Sequence, residues 1–248
     1  METKAIGRQV YNPDICNMKI AVVAATGFEW TPIQKQVNQL LSLPGDIQVT
    51  FHTTGIGILT STYQITTLIN HHHPDIIVQA GIAGSFSKSL QIGDVVVVKN
   101  EYNGDLGVSE NAMFLDVFDM NLLKANEFPY DEKALPNTWL SRLNLMHLKE
   151  VNAVTVNEIT TSVERISSLK EKYMCSVESM EGAALHYVCL QTQTPFLQIR
   201  SISNYIGERD KRKWNIKLAL DELAHSTRKL IGLLGNSEHD LFKDNIPQ

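Results

Sequence analysis

The sequence predicts an α/β fold: one three-layer α/β/α domain around a central mixed, mostly parallel sheet. Three observations predict it. Segments of strand and helix character alternate from end to end, the signature of α/β folds. Several strand segments, such as Asp75-Ile76-Ile77-Val78-Gln79-Ala80, are nearly continuous apolar runs, as expected of strands covered on both faces. Glycines or prolines punctuate the junctions between segments.

Taken in order, residues 18–26 form the first buried strand, a β-branched run closed by small residues. Residues 29–41 have helical spacing, with Pro32 tolerated in a first turn. A strand over 47–54 ends in Gly55-Ile56-Gly57 and precedes a helix over 59–70. Pro74 then breaks the chain before a strand over 75–80. Gly81-Ile82-Ala83-Gly84-Ser85 reads as a glycine-bearing turn that lets backbone N–H groups approach a ligand. A strand over 94–99 follows Gly93, and residues 100–150 read as irregular. The remainder alternates strand 151–156, helix 162–172, strand 174–178, helix 181–191, strand 196–203 and helix 215–234. The domain is expected over 18–235, between a polar N-terminal extension (1–17) and a polar C-terminal tail (236–248).

Composition sets limits on function. The net charge of −5 disfavours a nucleic-acid partner. No apolar run of about 18 residues exists to span a membrane, and the first 17 residues lack the apolar stretch of a secretion signal. Cys16, Cys175 and Cys189 are odd in number and form no close pair, which points to a reducing cytoplasm. His71-His72-His73 lacks a supporting acid cluster, so no metal site is expected.

The chemistry concentrates where strands end. Val177-Glu178-Ser179-Met180-Glu181 closes one strand with two acids, and Ser203-Asn204 closes another. In an open α/β sheet such tips converge on the crevice where small molecules bind. Glu29 reads either as a helix N-terminal charge, favoured by the dipole, or as a general base at the crevice rim. Glu178 and Glu181 are either structural acids at a strand end and a helix start, or acceptors for ribose hydroxyls, with Met180 beneath a flat sugar. Asn204 either caps a turn or offers a donor and an acceptor to a heterocycle. Arg200, inside an apolar strand, requires a partner, such as Glu181, or a carbonyl. The charge run 208–213 is a solvated loop or a lid over the site.

Four motifs in order give the chain its resemblance to the nucleoside phosphorylase and nucleosidase superfamily. Residues 19–25 with Glu29 resemble that family's first strand and acidic loop. Thr54-Gly55-Ile56-Gly57 resembles its "SGIG" segment. Gln79-Ala80-Gly81-Ile82-Ala83-Gly84 with Ile92-Gly93-Asp94-Val95-Val96 is similar to "TGSAGG … GDIV". Glu178 to Glu181 with Arg200-Ser201-Ile202-Ser203-Asn204 is similar to "VEMEA … RAISD".

The resemblance implies a nucleoside phosphorylase-like fold, a purine nucleoside as substrate, no cofactor and a homo-oligomer. It makes Glu29 and Asn204 catalytic. Glu181, Met180, Glu178, Ser203, Arg200, Ile82, Ala83 and Gly84 become substrate-binding, with Thr155 to Ile159 as the other wall of the base pocket. Asn204 stands where adenosine-type nucleosidases carry aspartate, which favours a 6-oxopurine. No Arg or Lys lies between Thr26 and Glu29 to hold phosphate, which favours hydrolysis. Residues 105–108, 114–118 and 207–210 with Trp214, together with the extra Ser179, resemble the futalosine hydrolase branch, which releases hypoxanthine in one route of menaquinone biosynthesis. The alternatives are a methylthioadenosine/S-adenosylhomocysteine or aminodeoxyfutalosine nucleosidase, an inosine nucleosidase and a non-catalytic nucleoside-binding protein.

Overall fold

Residues 18–39, 47–110, 113–208 and 210–236 are described by the computed structural model. The expected extension 1–17, residues 40–41 of the first expected helix, and the tail beyond Asn236 lie outside them. The chain runs β1 (Met18–Ala24), α1 (Gly27–Asn38), β2 (Ile47–Thr53), α2 (Ile58–His72), β3 (Ile76–Ser85) and β4 (Val95–Asn103). A hairpin of β5 (Gly107–Glu110) and β6 (Met113–Asp116) follows, then β7 (Leu135–Pro136) and α3 (Leu140–Leu143). The last part is β8 (Lys149–Thr155), α4 (Val163–Tyr173), β9 (Val177–Ser179), α5 (Gly182–Thr192), β10 (Phe196–Tyr205) and α6 (Ile216–Asn236).

The sheet is mixed and mostly parallel, but it is not an open layer. β10 pairs with β3 on one edge and with β4 on the other; β4 pairs with β8, β8 with β9, and β9 with β3. These five strands close a barrel-like ring, from which β1 and β2 extend. The expected three-layer arrangement is corrected accordingly. Helices still flank the sheet: α1 and α6 pack beside one another, as do α2 and α5. Ile33, Val37, Leu223, Leu230 and Ile231 fill one apolar cluster with β1, β3 and β10; Ile65, Leu68, Leu185 and Val188 fill another.

Three further expectations are corrected. Gly81 to Ser85 is no turn, because β3 continues through it, paired with β10 from Phe196↔Ile77 to Tyr205↔Ser85. Small residues there serve close packing rather than chain reversal. Residues 100–150 are irregular only in part: β4 runs on to Asn103, the β5–β6 hairpin, β7 and α3 lie among the described residues there, and a buried Asp116 ties the hairpin region to α4. Asp116 meets Lys133 and Lys172, each at 3.3 Å, and accepts from the Tyr173 hydroxyl at 3.2 Å. Pro32 lies inside α1 rather than in its first turn, because the helix starts at Gly27.

The pairing of β3 creates the site. β1 accompanies β3 only as far as Val23↔Gln79, and β9 joins the same edge only at Gly84↔Glu178. The edge of β3 between these points is left open, and the ends of β1 and β9 face each other across it.

Candidate active site

Glu29 occupies one side of this split. Thr26 caps α1, and its backbone N–H and hydroxyl donate to Glu29 Oε2 at 3.1 and 3.2 Å. This is a capping box, so the structural reading of Glu29 holds. The same carboxylate also reaches across to β3, where the Ile82 N–H donates to Oε1 at 3.2 Å. Oε2 is then saturated, while Oε1 keeps a lone pair for a further donor such as water.

Glu181 stands opposite, at the N-cap of α5. Its Oε1 accepts from the Gly57 N–H at 3.2 Å, and its Oε2 lies 4.0 Å from Arg200 Nη2. Gly57 adopts φ +85°, a left-handed conformation that suits glycine. Burial raises the Glu181 pKa above the ordinary carboxylate value; Arg200 and Gly57 draw it back, and the Glu29 charge adds to the rise.

Arg200 lies buried between these acids, projecting from β10 over Gly81 of β3. Its Nη2 donates to Gln79 Oε1 at 2.7 Å. A Cβ at Gly81 would overlap the guanidinium and stand 3.2 Å from Glu29 Oε1. Gly81→Ala should therefore cost about 1–3 kcal/mol through overpacking. Thermal unfolding measures this as a lowered Tm; an unchanged Tm would show that the Arg200 cradle is not tight.

Ser203 and Asn204 sit at a register shift where β10 slips against β3 between Ile202 and Asn204. The Ser203 hydroxyl donates to Asn204 Oδ1 at 2.8 Å, with Ala83 O a longer alternative at 3.3 Å. One hydroxyl proton serves one of them at a time, and the shorter contact fixes the amide. Asn204 Nδ2 then donates one hydrogen to Tyr205 O at 3.2 Å and keeps the second. Gly84 pairs with both Asn204 and Glu178, and a Cβ there would displace the end of the Ile206 side chain.

Not every expected residue joins this group. Glu178 turns toward the loop after β8, where its Oε1 accepts from the Thr160 N–H at 3.1 Å. Burial raises its pKa, with Thr160 and Arg165 opposing. Ile82, Ala83 and Gly84 are engaged in strand pairing, and the Ile82 N–H is committed to Glu29 rather than offered to a ligand. Met180 is half-buried beside Glu181. In the presumed base wall, Thr155 is buried and bonded inward, Asn157 is held by Asp105, and Ile159 is exposed. The charge run pairs within itself: Arg212 with Asp210 at 2.8 Å and Lys213 with Glu208 at 2.5 Å.

Sequence reasoning missed the layer behind Arg200. Gln79, Glu101, Gln198 and His186 are all fully or almost fully buried. Gln79 and Gln198 interrupt apolar strands, the same signal that singled out Arg200; Glu101 lies in the polar stretch Lys99 to Asn103, which carries no such signal.

The sequence pattern of the phosphorylase superfamily matches residues 19–235. The chain belongs to the phosphorylase superfamily. Its relatives there include a futalosine hydrolase of Thermus thermophilus, 28% identical over 187 residues, which span 74% of this chain and 81% of that protein. A 5'-methylthioadenosine/S-adenosylhomocysteine nucleosidase of Bacillus velezensis is 26% identical over 196 residues, 76% of this chain and 81% of that one. A futalosine hydrolase mutant of Helicobacter pylori has the same fold, with a TM-score of 0.71 and 22% identity over 88% of this chain and all of that one. This member of the superfamily is thus an enzyme of its nucleosidase branch, in which an N-glycosidic bond is hydrolysed. Its mixed sheet with flanking helices is the superfamily's α/β fold.

Proposed function

We propose that this enzyme hydrolyses the N-glycosidic bond of a 6-oxopurine nucleoside, releasing hypoxanthine from futalosine in menaquinone biosynthesis. The observation that carries the reading is the Asn204 amide, locked by the Ser203 hydroxyl with one N–H to spare. An amide donates a hydrogen bond to purine N7 but cannot surrender a proton. A 6-oxopurine tolerates this, because its departing charge spreads onto the 6-oxygen. Fixed donors of this kind are worth about 3 kcal/mol in a dry site.

The remaining groups divide the work. Glu181 accepts the ribose 2′- and 3′-hydroxyls on its free lone pairs, and Met180 supports the sugar's apolar face. Water held at Glu29 Oε1 attacks the anomeric carbon. The new C–O bond forms as the C–N bond breaks, the water proton passes to Glu29, and the bond pair leaves with the purine. Two carboxylates against one guanidinium favour the positive charge that develops on the ribose. Nothing cationic lies on the Thr26–Glu29 segment to attract phosphate, which supports water as the nucleophile.

The homo-oligomer is part of the same proposal. Phe28, Ile56, Leu59 and Tyr63 are exposed apolar side chains on the two segments that carry Glu29 and Gly57. Such a patch suits a subunit contact beside the site. A cytoplasmic setting fits the free thiols of Cys175 and Cys189, both buried. Among the described residues no helix is long and apolar enough to cross a membrane.

Asn204→Asp tests the base assignment. The variant should gain on methylthioadenosine and aminodeoxyfutalosine relative to futalosine, as kcat/KM ratios from chromatography of the released base. Unchanged selectivity would return the choice to the adenine-releasing alternative that the Bacillus velezensis relative represents.

A further inference from the structure

Gln79 stands at the foot of the split between β1 and β9. It is the last residue of β3 that β1 accompanies, and on its other edge it pairs with Gln198 of β10. Paired residues of parallel strands point their side chains to the same face, and so do residues two apart along one strand. Gln79, Gln198 and Arg200 therefore project from one face of the sheet. Arg200 pairs with Gly81, which has no side chain, so the guanidinium lies over Gly81 and reaches back to Gln79.

Arg200 has two carboxylates in reach, yet its hydrogen bond goes to a neutral amide. Nη2 donates to Gln79 Oε1 at 2.7 Å, the one hydrogen bond of this guanidinium among the described residues. Glu181 Oε2 lies 4.0 Å from Nη2, beyond hydrogen-bond distance. Glu29 Oε1 and Arg200 Nη1 approach the same point above Gly81, 3.2 Å from Oε1, but no hydrogen bond joins them. The orientation of the amide is fixed, because a guanidinium only donates and Oε1 must face it. Gln79 Nε2 is buried with no partner among the described residues. The bond to Arg200 is thus the one that offsets burial of this amide in an apolar strand.

We propose that Gln79 is a positioning residue whose amide oxygen anchors Arg200 away from Glu29 and Glu181, so that both carboxylates keep their lone pairs for water and ribose. A guanidinium bonded to Glu181 would occupy the acceptors that the 2′- and 3′-hydroxyls need. Bonded to Glu29, it would take the lone pair that holds the attacking water. Held by Gln79, it acts on the acids by charge alone. At 4.0 Å that charge still reaches Glu181, where burial raises the pKa and Arg200 draws it back. An apolar residue at position 79 would release the guanidinium to the nearest acid. A carboxylate there would keep it in place.

The inference rests on the nucleosidase reading, and the test separates the two. Gln79→Met has a similar length and no amide acceptor. Crystals of this variant without nucleoside should show an Arg200 nitrogen about 3 Å from an oxygen of Glu29 or Glu181, while wild-type crystals keep Nη2 on Gln79. With futalosine, kcat/KM of Gln79→Met should fall roughly 100-fold, as expected when site groups shift by about 1 Å. About tenfold of that should lie in KM, the worth of one hydrogen bond to a charged group. Gln79→Glu should hold Arg200 by a charge-assisted bond and keep KM near the wild-type value. A packing role alone would raise KM alike in both variants. Arg200 unmoved in Gln79→Met, or bonded to neither acid, would overturn the proposal, as would equal KM values in the two variants. Gln79→Leu serves the same tests if Gln79→Met does not fold. If the wild type cleaves no nucleoside, the nucleosidase reading fails, and the crystals alone decide whether Gln79 anchors Arg200.

Discussion

Glu29→Gln should lower kcat by roughly 100- to 10,000-fold, the usual worth of a general base, while leaving ligand binding measurable. The amide has no basic oxygen to take the water proton. It also conflicts locally: Thr26 offers donors to one end of the side chain and Ile82 a donor to the other, and an amide accepts at one end only. That conflict weakens the α1 cap by about 1 kcal/mol. A stability loss of this size does not account for a 100-fold loss of turnover. Parallel measurements of kcat, calorimetric Kd and Tm separate the two effects. Turnover within a few-fold of wild type, in a folded variant, would remove Glu29 from the chemistry.

Arg200→Met is expected to produce the largest change in stability, about 3–5 kcal/mol, because it strands buried acids without their cation. Gln79 Oε1 loses its donor as well. The loss should depend on pH in a definite direction. Glu101 and Glu181 both have pKa values raised in the fold. For such groups the favourable contribution is full below the ordinary value of 4.5 and fades as pH rises through the folded value, about 7 for Glu101. Arg200 draws both values down, so its removal raises them and deepens the alkaline loss. His186 adds to the contrast: its pKa is lowered to about 4, Arg200 contributes to that, and its destabilisation on acidification eases in the variant. The Tm deficit of Arg200→Met should therefore be larger at pH 8 than at pH 5. An equal deficit at both would mean that Arg200 contributes packing rather than charge.

Much of this was legible in the chain. Alternating apolar runs and turn residues mark the strands and helices, because burial on both faces selects continuous apolar segments. Closure of the sheet was not legible. It depends on β10 pairing along both edges and on the three-residue β9, and neither leaves a periodic trace. The glycines at 81 and 84 imitate a turn, yet they are small so that Arg200 and Ile206 can lie across β3. Polar residues at strand ends and inside apolar strands exposed Glu29, Glu181, Arg200 and Asn204. Glu178 has the same sequence character as Glu181 but points to Thr160, because it lies within β9 whereas Glu181 caps the helix after it. Gln79 and Gln198 carried the same signal as Arg200, whereas Glu101, in the polar stretch Lys99 to Asn103, carried none; the neighbours of all three lie far away in sequence and appear only once the ring has closed.

The most direct measurement is base release from futalosine in phosphate-free buffer, with methylthioadenosine, aminodeoxyfutalosine and inosine in parallel. Hypoxanthine from futalosine, without added phosphate and without comparable adenine release, is the expected result. Adenine as the main product, or turnover that appears only when inorganic phosphate is supplied, would contradict the roles given to Asn204 and Glu29.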